Sequence, residues 1–345
     1  MPPRIVLVTG VSRFLGGHLA ARLAADEGIE RVLGVDTVPP PRDLRRRMGR
    51  AEFIRADIRN PLIAKVIGGA NVDTVVHASL SANPARSGGR ASMMEMNVIG
   101  TMQLLAACQK SQSVRRLVVK STTAVYGASA RDPAMFTEDM GAKSLPSGGY
   151  AKDAVEIEGY VRGFARRRSD VTVTMLRFTN FIGPRIETVM TRYLSLPVVP
   201  TVLGYDARVQ LLHEEDALAV LQRAATRELP GVFNVGGDGV LLLSQAIRRA
   251  GRVPLPVPMP AVGPFSRLFR SAGLVDFSPE QLRFLNFGRV VDTTRLRTEF
   301  GYQPRWSTAQ AFDDFVTGRA LRPVIDPQWV AAAEREALGG LTRLR

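Results

Sequence analysis

The residues from Arg4 to Asp36 constrain the fold of this chain more than any other segment. An apolar run over residues 5–8 leads to a turn that contains Gly10 and Gly16, and a segment with leucines at helical spacing follows. A second apolar run ends on Asp36. In dinucleotide-binding folds, this order of elements holds the pyrophosphate on backbone N–H groups and a ribose hydroxyl on the acid. The segment therefore predicts a dinucleotide site.

The composition is that of an ordinary globular protein. The chain has 345 residues, of which 45% are hydrophobic and 23% charged, and this suits one large domain or two closely associated ones. No apolar run approaches the roughly 18 residues of a membrane helix. The start, Met1 to Arg4, leads directly into the first strand and leaves no room for a signal peptide. A single cysteine, Cys108, and three dispersed histidines predict a cytoplasmic protein without disulfides or a metal site.

The formal net charge of +14 is the unusual bulk property. Arginines cluster within residues 42–50, at 166–168 and along the C-terminal tail. Such a field attracts nucleic acid, anionic lipid or a phosphorylated substrate, and a solvated basic surface is the plainer interpretation. No helix-turn-helix, zinc pattern or aromatic-basic interleaving indicates a specific nucleic-acid partner. A weak association with anionic surfaces stays open.

Strands and helices alternate through the first half of the chain, which predicts an α/β fold with a Rossmann-type, doubly wound parallel sheet. We expect strands at residues 5–8, 31–35, 52–56, 72–78, 116–120 and 171–177, and long helices at 91–110 and 150–166. Beyond Asn180 prolines multiply, and residues 253–264 should be extended or irregular. The predicted division is a cofactor domain at 1–179, a smaller, interleaved substrate-binding portion at 180–325 that returns segments to the sheet, and a basic tail at 326–345.

An ordered series of short motifs continues this pattern. The motifs are the glycine turn, Asp57-Ile58, Val76-His77-Ala78, Asn97 to Thr101, Ser121-Thr122, Val125-Tyr126-Gly127, Tyr150, Leu176 to Pro184, His213 with Asp216, Phe233 to Gly236, and Asp292 to Pro304. Each alone is a weak signal, and their order makes the similarity specific. From residue 4 to about residue 315 the chain resembles the extended short-chain dehydrogenase/reductase family, in its nucleotide-sugar epimerase and dehydratase branch.

The resemblance implies roles for the matching positions. Thr122 would hold a sugar hydroxyl and Tyr150 would exchange its proton, while hydride passes to and from a nicotinamide. Thr122 and Asn180 would bind the substrate. His77 and Tyr126 are expected to pack rather than react, and Asn97 has a structural alternative, the tying together of loops. The implied cofactor contacts are Gly10, Arg13, Phe14, Leu15, Gly16, Asp36, Asp57, Ile58, Ala78, Leu80, Asn97 and Thr179.

Two positions depart from the family pattern. Arg13 stands where the family has the middle glycine of its turn, and Ala154 stands where the family couples its tyrosine to a lysine four residues on. Lys152 does not replace that lysine, because at about 100° per residue its side chain points about 200° away from Tyr150. Asp153 lies nearer the tyrosine face, and a carboxylate there opposes phenolate formation.

These residues leave two functions open. The first is an NAD-dependent epimerase or dehydratase of a nucleotide-linked sugar, similar to UDP-glucose/UDP-galactose 4-epimerases, because Thr122 and Tyr150 are retained. The second is an NAD(P)-binding scaffold or sensor protein that has lost efficient turnover, because the lysine is absent at Ala154. Lys120 lies two residues before Thr122 on the same strand face and is a weaker candidate for the missing charge.

The cofactor is expected to be NAD rather than NADP. The carboxylate of Asp36 suits a ribose 2′-hydroxyl and repels a 2′-phosphate. Arg13 argues the other way, because smaller relatives commonly place an arginine at this position against the 2′-phosphate. The resemblance also implies a homodimer, packed through the helices at 91–110 and 150–166.

Overall fold

The computed structural model describes residues 3–82, 89–142, 146, 149–261 and 279–324. Its strands are β1 (Ile5–Thr9), β2 (Arg31–Asp36), β3 (Glu52–Arg55), β4 (Thr74–His77), β5 (Arg116–Thr122), β6 (Thr172–Phe178), β7 (Asn180–Ile182), β8 (Val198–Val202), β9 (Arg208–Val209), β10 (Leu211–His213), β11 (Gly231–Val235), β12 (Leu241–Leu242), β13 (Val253–Val257) and β14 (Gly288–Arg289). Its α-helices are α1 (Phe14–Ala24), α2 (Arg42–Arg47), α3 (Ile63–Gly69), α4 (Arg90–Met94), α5 (Gly100–Lys110), α6 (Gly149–Arg167), α7 (Val189–Ser195), α8 (Glu214–Thr226), α9 (Leu243–Arg249), α10 (Pro279–Phe287), α11 (Thr294–Thr298) and α12 (Thr308–Gly318). The predicted basic tail, 326–345, lies outside the described residues.

Seven of these strands form one parallel sheet in the order β11-β6-β5-β4-β1-β2-β3. β1 pairs with β2 on one side and with β4 on the other, so the strand order reverses between β1 and β4. In such sheets, a crevice opens at the carboxyl ends of the strands on either side of this reversal. The predicted doubly wound α/β fold is confirmed.

Helices cover both faces of the sheet, which explains why its strands are continuous apolar runs rather than alternating ones. Val6 and Val8 belong to a core cluster on one face, together with residues of α1 and α8. Leu7 belongs to a cluster on the other face, with residues of α3, α5 and α6. All three β1 side chains are fully buried. The sheet is therefore a rigid platform for the loops that leave its carboxyl edge.

The described part of residues 180–325 contributes to the large sheet and to a separate core. β11 pairs with β6 at the edge of the large sheet. In the same described part, the small sheets β10-β7, β12-β9-β14 and β13-β8 accompany an apolar cluster that includes Tyr193, Phe312 and Phe315. β13 carries the first part of the proline-rich stretch in extended conformation, whereas residues 262–264 lie outside the described residues.

Two elements differ from the sequence expectation where they approach the cleft. β5 runs two residues further than predicted, because Thr122 still pairs with Phe178 of β6. The predicted helix at 91–110 contains a π-helical turn at Glu95–Ile99, between α4 and α5. A π-helical turn adds a residue to the helical repeat and is frequent at functional sites. Within the described ranges, no helix is long and apolar enough to span a membrane, and no cluster of His, Cys, Asp and Glu could hold a metal ion.

Candidate active site

One large cleft lies at the carboxyl ends of the central strands. Its volume is about 1410 Å³, above the roughly 300–1,000 Å³ of common small-ligand pockets, and this suits a dinucleotide together with a second ligand. Gly10 and Gly16 belong to the turn at one end, whereas Ile58 and Asn97 are not among the residues that line the cleft. The predicted site residues that do line it are Arg13, Phe14, Leu15, Asp36, Asp57, Ala78, Leu80, Thr122, Tyr150, Thr179 and Asn180.

The glycine turn lets the backbone approach itself closely. Gly10 has φ +76°, and a Cβ there would lie 2.8 Å from the Cα of Ser79. A Cβ on Gly16 would lie 2.3 Å from the carbonyl oxygen of Gly10. Helix α1 begins at Phe14 with no side-chain cap and no acidic residue in its first turn. Its N-terminal N–H groups and the positive end of its dipole therefore suit a phosphate group.

Arg13 occupies the middle position of the turn without backbone strain. Its φ of −105° and ψ of 161° are extended values that any residue adopts. Its positive charge lowers the pKa of both Lys120 and Tyr150. Since charge effects fall with distance, the guanidinium acts on the end of the cleft that holds Thr122 and Tyr150, which we call the catalytic end because these two are the predicted catalytic residues.

Two carboxylates, Asp36 and Asp57, line one end of the cleft, which we call the adenosine end because both are predicted to bind the adenosine. Asp36 accepts from the backbone N–H of Ser12 at 3.0 Å and from that of Thr37 at 2.8 Å. Asp57 accepts from the guanidinium of Arg59 at 2.7–3.1 Å, and this contact holds the pKa of Asp57 below its usual range. Hydrogen bonds therefore hold both carboxylates in place, and those from Arg59 favour the ionised form of Asp57.

Asn97 and Ile58 support the wall of the cleft from behind. The Asn97 side chain accepts from the N–H of Ser81 and donates to its carbonyl oxygen, both at 2.9 Å. It also donates to Asp153 at 3.2 Å. Ile58 is buried against Gly100, where an added Cβ would lie 2.9 Å from the isoleucine side chain. Their contact with the cofactor stays a prediction. In the structure, Asn97 connects the loop at Ser81 to Asp153 of α6.

His77 and Tyr126 are packed into the protein. The ring of His77 lies between the hydroxyls of Thr9 and Thr101, each at 2.9 Å, and burial lowers its pKa to about 3. Tyr126 stacks on Phe136 with ring centroids 4.6 Å apart. Burial raises the pKa of Tyr126. Neither group is therefore suited to proton exchange near neutral pH.

Thr122 and Tyr150 meet at the catalytic end of the cleft. Thr122 ends β5, and its hydroxyl accepts from the N–H of Ala124 at 3.2 Å. Its side chain is also hydrogen-bonded to Tyr150, the second residue of α6. Burial raises the pKa of Tyr150, the bond to Thr122 and the charge of Arg13 lower it, and the charge of Asp153 raises it. The phenol is therefore a weaker acid than a solvated tyrosine.

Ala154 is part of the core. It is fully buried in an apolar cluster with Val125, Tyr126, Phe136 and Val291, and it does not line the cleft. Lys152 is exposed. A lysine at position 154 would begin inside this cluster. The position that the resemblance assigns to a lysine is therefore occupied here by a packed alanine.

Arg90 is a residue of the site that no motif in the sequence indicates. Its guanidinium binds both carboxylate oxygens of Asp153, at 2.7 and 2.6 Å, and donates to the carbonyl oxygen of Gly149 at 2.8 Å. Asp153 is only 2% exposed. The pair places a positive charge against the carboxylate that disfavours the Tyr150 phenolate. A carboxylate three residues after the tyrosine, on its helix face, was the one sequence signal for such a partner.

Thr179 lines the cleft, and its hydroxyl forms no hydrogen bond with any described residue. Its Oγ1 is buried without a hydrogen-bond partner among the described residues, directly after β6. Most buried hydroxyls have a partner, and this one lines the cleft. The hydroxyl is therefore available to a ligand in the cleft, and its contact with the nicotinamide stays a prediction.

A family model matches most of the chain. The NAD dependent epimerase/dehydratase family is matched over residues 6–236. The chain belongs to this family. The glycine turn, Thr122 and Tyr150 all lie within the matched range, as does the strand that completes the large sheet.

Similar proteins and structures agree with this family. An uncharacterized protein of Mycobacterium tuberculosis is 56% identical over 337 residues, which cover 98% of this chain and 90% of that protein. A probable UDP-arabinose 4-epimerase of Oryza sativa subsp. japonica is 29% identical over 187 residues, 52% of this chain and 45% of that protein. The structure of a dTDP-glucose 4,6-dehydratase of Streptomyces venezuelae with NAD bound has a TM-score of 0.70 at 22% identity, over 94% of this chain and 99% of that one. A UDP-glucuronic acid 4-epimerase of Bacillus cereus has a TM-score of 0.70 at 18% identity, over 92% and 99%. At these identities the structural likeness shows the shared fold.

Proposed function

We propose that the protein is an NAD-dependent epimerase or dehydratase that acts on a nucleotide-linked sugar. The observation that carries the proposal is the hydrogen-bonded pair of Thr122 and Tyr150, which shares one cleft with the glycine turn. The similar structures include a UDP-glucose 4-epimerase of Thermotoga maritima with UDP-glucose, which supports UDP-linked glucose and galactose as first candidates. Arginines in the cleft wall suit a diphosphate, and these are Arg131, Arg185, Arg283 and Arg289.

The residues of the cleft divide the work. Bound NAD would supply the hydride chemistry. The glycine turn would hold its pyrophosphate and Thr179 would meet its nicotinamide end. Thr122 would orient the sugar hydroxyl, Tyr150 would exchange the proton of that hydroxyl, and Asn180 would lie toward the substrate phosphates.

The test is turnover on a panel of sugars. Purified protein is incubated with NAD and UDP-glucose, UDP-galactose, UDP-glucuronic acid or dTDP-glucose, and products are separated by anion exchange and weighed by mass spectrometry. An epimer of equal mass or a product lighter by one water is expected. Tyr150→Phe should lower the rate by about 10²–10⁴-fold, the usual share of acid–base assistance.

The matched control is Tyr160→Phe on the same helix. Its hydroxyl donates to Glu156 at the surface, 2.9 Å away, and it does not line the cleft. This variant should keep the wild-type rate. Tight NAD binding without turnover of any sugar would overturn the enzymatic proposal.

A second candidate is a cofactor-binding protein without turnover. It is favoured by the packed Ala154 and by the raised pKa of Tyr150. It predicts a measurable dissociation constant for NAD and no product from the same panel.

We propose NAD rather than NADP as the cofactor. Asp36 would face a 2′-phosphate with an anchored carboxylate, and the charge of Arg13 acts on Tyr150 and Lys120 at the other end of the cleft. The two dissociation constants, measured by calorimetry, decide between the cofactors. Tighter binding of NADP would contradict the proposal.

We also propose a homodimer through the outer face of the helical segment that comprises α4, the π-helical turn and α5. Met94, Ile99 and Met102 leave 43%, 41% and 40% of their surface exposed on these neighbouring turns, and apolar groups so clustered favour an interface. Light scattering during size exclusion should give twice the chain mass. Ile99→Glu should halve it, and a monomeric wild type would rule the dimer out.

A further inference from the structure

Lys120 is a buried amine in the wall of the cleft. It lies on β5 two residues before Thr122, so both side chains leave the same face of the strand. Lys120 is only 7% exposed and lines the cleft together with Thr122 and Tyr150. Lysine side chains are almost never buried to this extent without a charged partner.

The ammonium has no such partner among the described residues. Its Nζ donates to the carbonyl oxygen of Leu80 at 2.9 Å and lies 5.9 Å from the ring centroid of Phe181. No carboxylate of the described chain forms an ion pair with it. Arg177, equally buried, is paired with Glu158 at 2.7 Å. Burial therefore destabilises the charged form of Lys120, and no carboxylate among the described residues offsets this cost as Glu158 does for Arg177.

Burial and one neighbouring positive charge make the charged form of Lys120 less stable. Burial and the nearby charge of Arg13 lower its pKa to about 7. His77, on the neighbouring β4, is neutral at this pH because its own pKa is about 3. On α6, Tyr150 is a neutral phenol and Asp153 is paired with Arg90. The pKa of the amine therefore lies near neutral pH, where the group can both accept and donate a proton.

We propose that Lys120 is the proton-exchange partner of Tyr150, and that from β5 it takes the place of the lysine that the resemblance predicts at position 154. This inference rests on the proposed function. As the tyrosine oxygen takes the proton of the sugar hydroxyl, its own proton passes through hydroxyl groups of the cleft to the neutral amine. The O–H bond of the phenol breaks, an N–H bond forms and the amine becomes an ammonium. When the ammonium returns its proton to the tyrosine oxygen, these bond changes are reversed. Neither residue is oxidised or reduced.

The first test needs no turnover. The chain has five lysines, Lys65, Lys110, Lys120, Lys143 and Lys152, so lysine labelled with ¹³C at Cε gives a simple NMR titration. One resonance should titrate near pH 7 and be absent in Lys120→Arg. Tyr150→Phe should move its midpoint by half a unit or more, whereas Tyr160→Phe should not. A midpoint above 9, or one unmoved in Tyr150→Phe, overturns the proposal, and the decisive variant leaves Lys120 in place.

The second test is the pH profile of the reaction. The rate constant kcat/KM for sugar oxidation should rise through pH 7 in the wild type, because the neutral amine is the active form. Lys120→Met should lower it at least about tenfold and remove the limb near pH 7. Lys120→Arg should not restore it, because a guanidinium stays protonated. A limb that persists in Lys120→Met contradicts the inference. Absence of wild-type turnover refutes the proposed function, and the NMR titration then still decides the role of the lysine.

Discussion

The glycine turn and Asp36 at the adenosine end of the cleft come from one continuous segment, whereas the catalytic end is built by residues from separate segments. One β1–α1–β2 unit supplies the glycine turn and Asp36. At the other end, Thr122 comes from β5, Tyr150 from α6 and Arg90 from α4. The first site depends on what the backbone can do, and the second depends on which side chains the packing brings together and buries.

This difference governs how each end tolerates an unusual residue. Arg13 replaces a glycine without strain, because its backbone is extended. Ala154 replaces a lysine, and the consequence spreads, because core side chains fill the position and leave Tyr150 without the partner that the resemblance predicts. A departure from a backbone-built motif is thus a local matter, and a departure from a charge arrangement is not.

The largest effect is expected from the attempt to restore the family lysine. Ala154→Lys would bury an ammonium in an apolar cluster, and an unpaired buried charge costs about 3 kcal/mol or more. The free energy of unfolding, measured in urea, should fall by that amount. Gly159→Lys, exposed on the same helix, should change little. If Ala154→Lys is as stable as wild type and faster, position 154 belongs to the cleft after all.

At the adenosine end, Gly16→Ala should weaken NAD binding by about 100-fold, since steric conflicts cost about 2–3 kcal/mol. The physical reason is the 2.3 Å distance between the new Cβ and the carbonyl oxygen of Gly10. Calorimetric titration measures the effect. Gly68→Ala on α3, where a Cβ meets nothing within 4 Å, is the control. Unchanged binding in Gly16→Ala would place the cofactor elsewhere.

The burial of Lys120 predicts a pH dependence of stability. Its pKa falls from 10.5 to about 7 on folding, so from pH 7 upward the unfolded chain binds a proton that the folded chain lacks. Stability therefore rises with pH, by about 2 kcal/mol between pH 7 and 9. Above pH 9 the thiol of Cys108, whose pKa burial raises to about 12, acts in the opposite direction.

Denaturant titrations across this window check the sign. Lys120→Met should lose the rise, whereas Lys152→Met, which changes an exposed lysine, should keep it. A wild type whose stability is flat from pH 7 to 9 would show that the amine stays charged in the folded state.

The smallest effect is expected at Asp36. Asp36→Ala should weaken NAD binding by about tenfold and strengthen NADP binding by a similar factor, since a lost charged hydrogen bond costs about 1.5 kcal/mol. Both dissociation constants are measured under the same conditions. A variant that loses affinity for both cofactors equally would assign Asp36 a structural role at the turn.

Much of the fold could be read from the sequence because its signals are local. Apolar runs such as residues 5–8 and the spacing of Gly10 and Gly16 specify β1, the turn and α1 without knowledge of any distant residue. The π-helical turn at Glu95–Ile99 could not be read in this way, since its helical period differs by one residue and only the tertiary contacts of Asn97 reveal why it is there. The role of Arg90 could not be predicted for the same reason, because its partner Asp153 is 63 residues away in the sequence.

The sequence by itself determined the doubly wound sheet, the cofactor turn and the positions of Thr122 and Tyr150, because periodicity and motif spacing act over a few residues. Only the tertiary structure decided the charges around Tyr150. Burial in the packed protein closes position 154, pairs Asp153 with Arg90 and lowers the pKa of Lys120. The free energy of a charge depends on what surrounds it in space, and neighbours in space are set by the fold rather than by spacing along the chain.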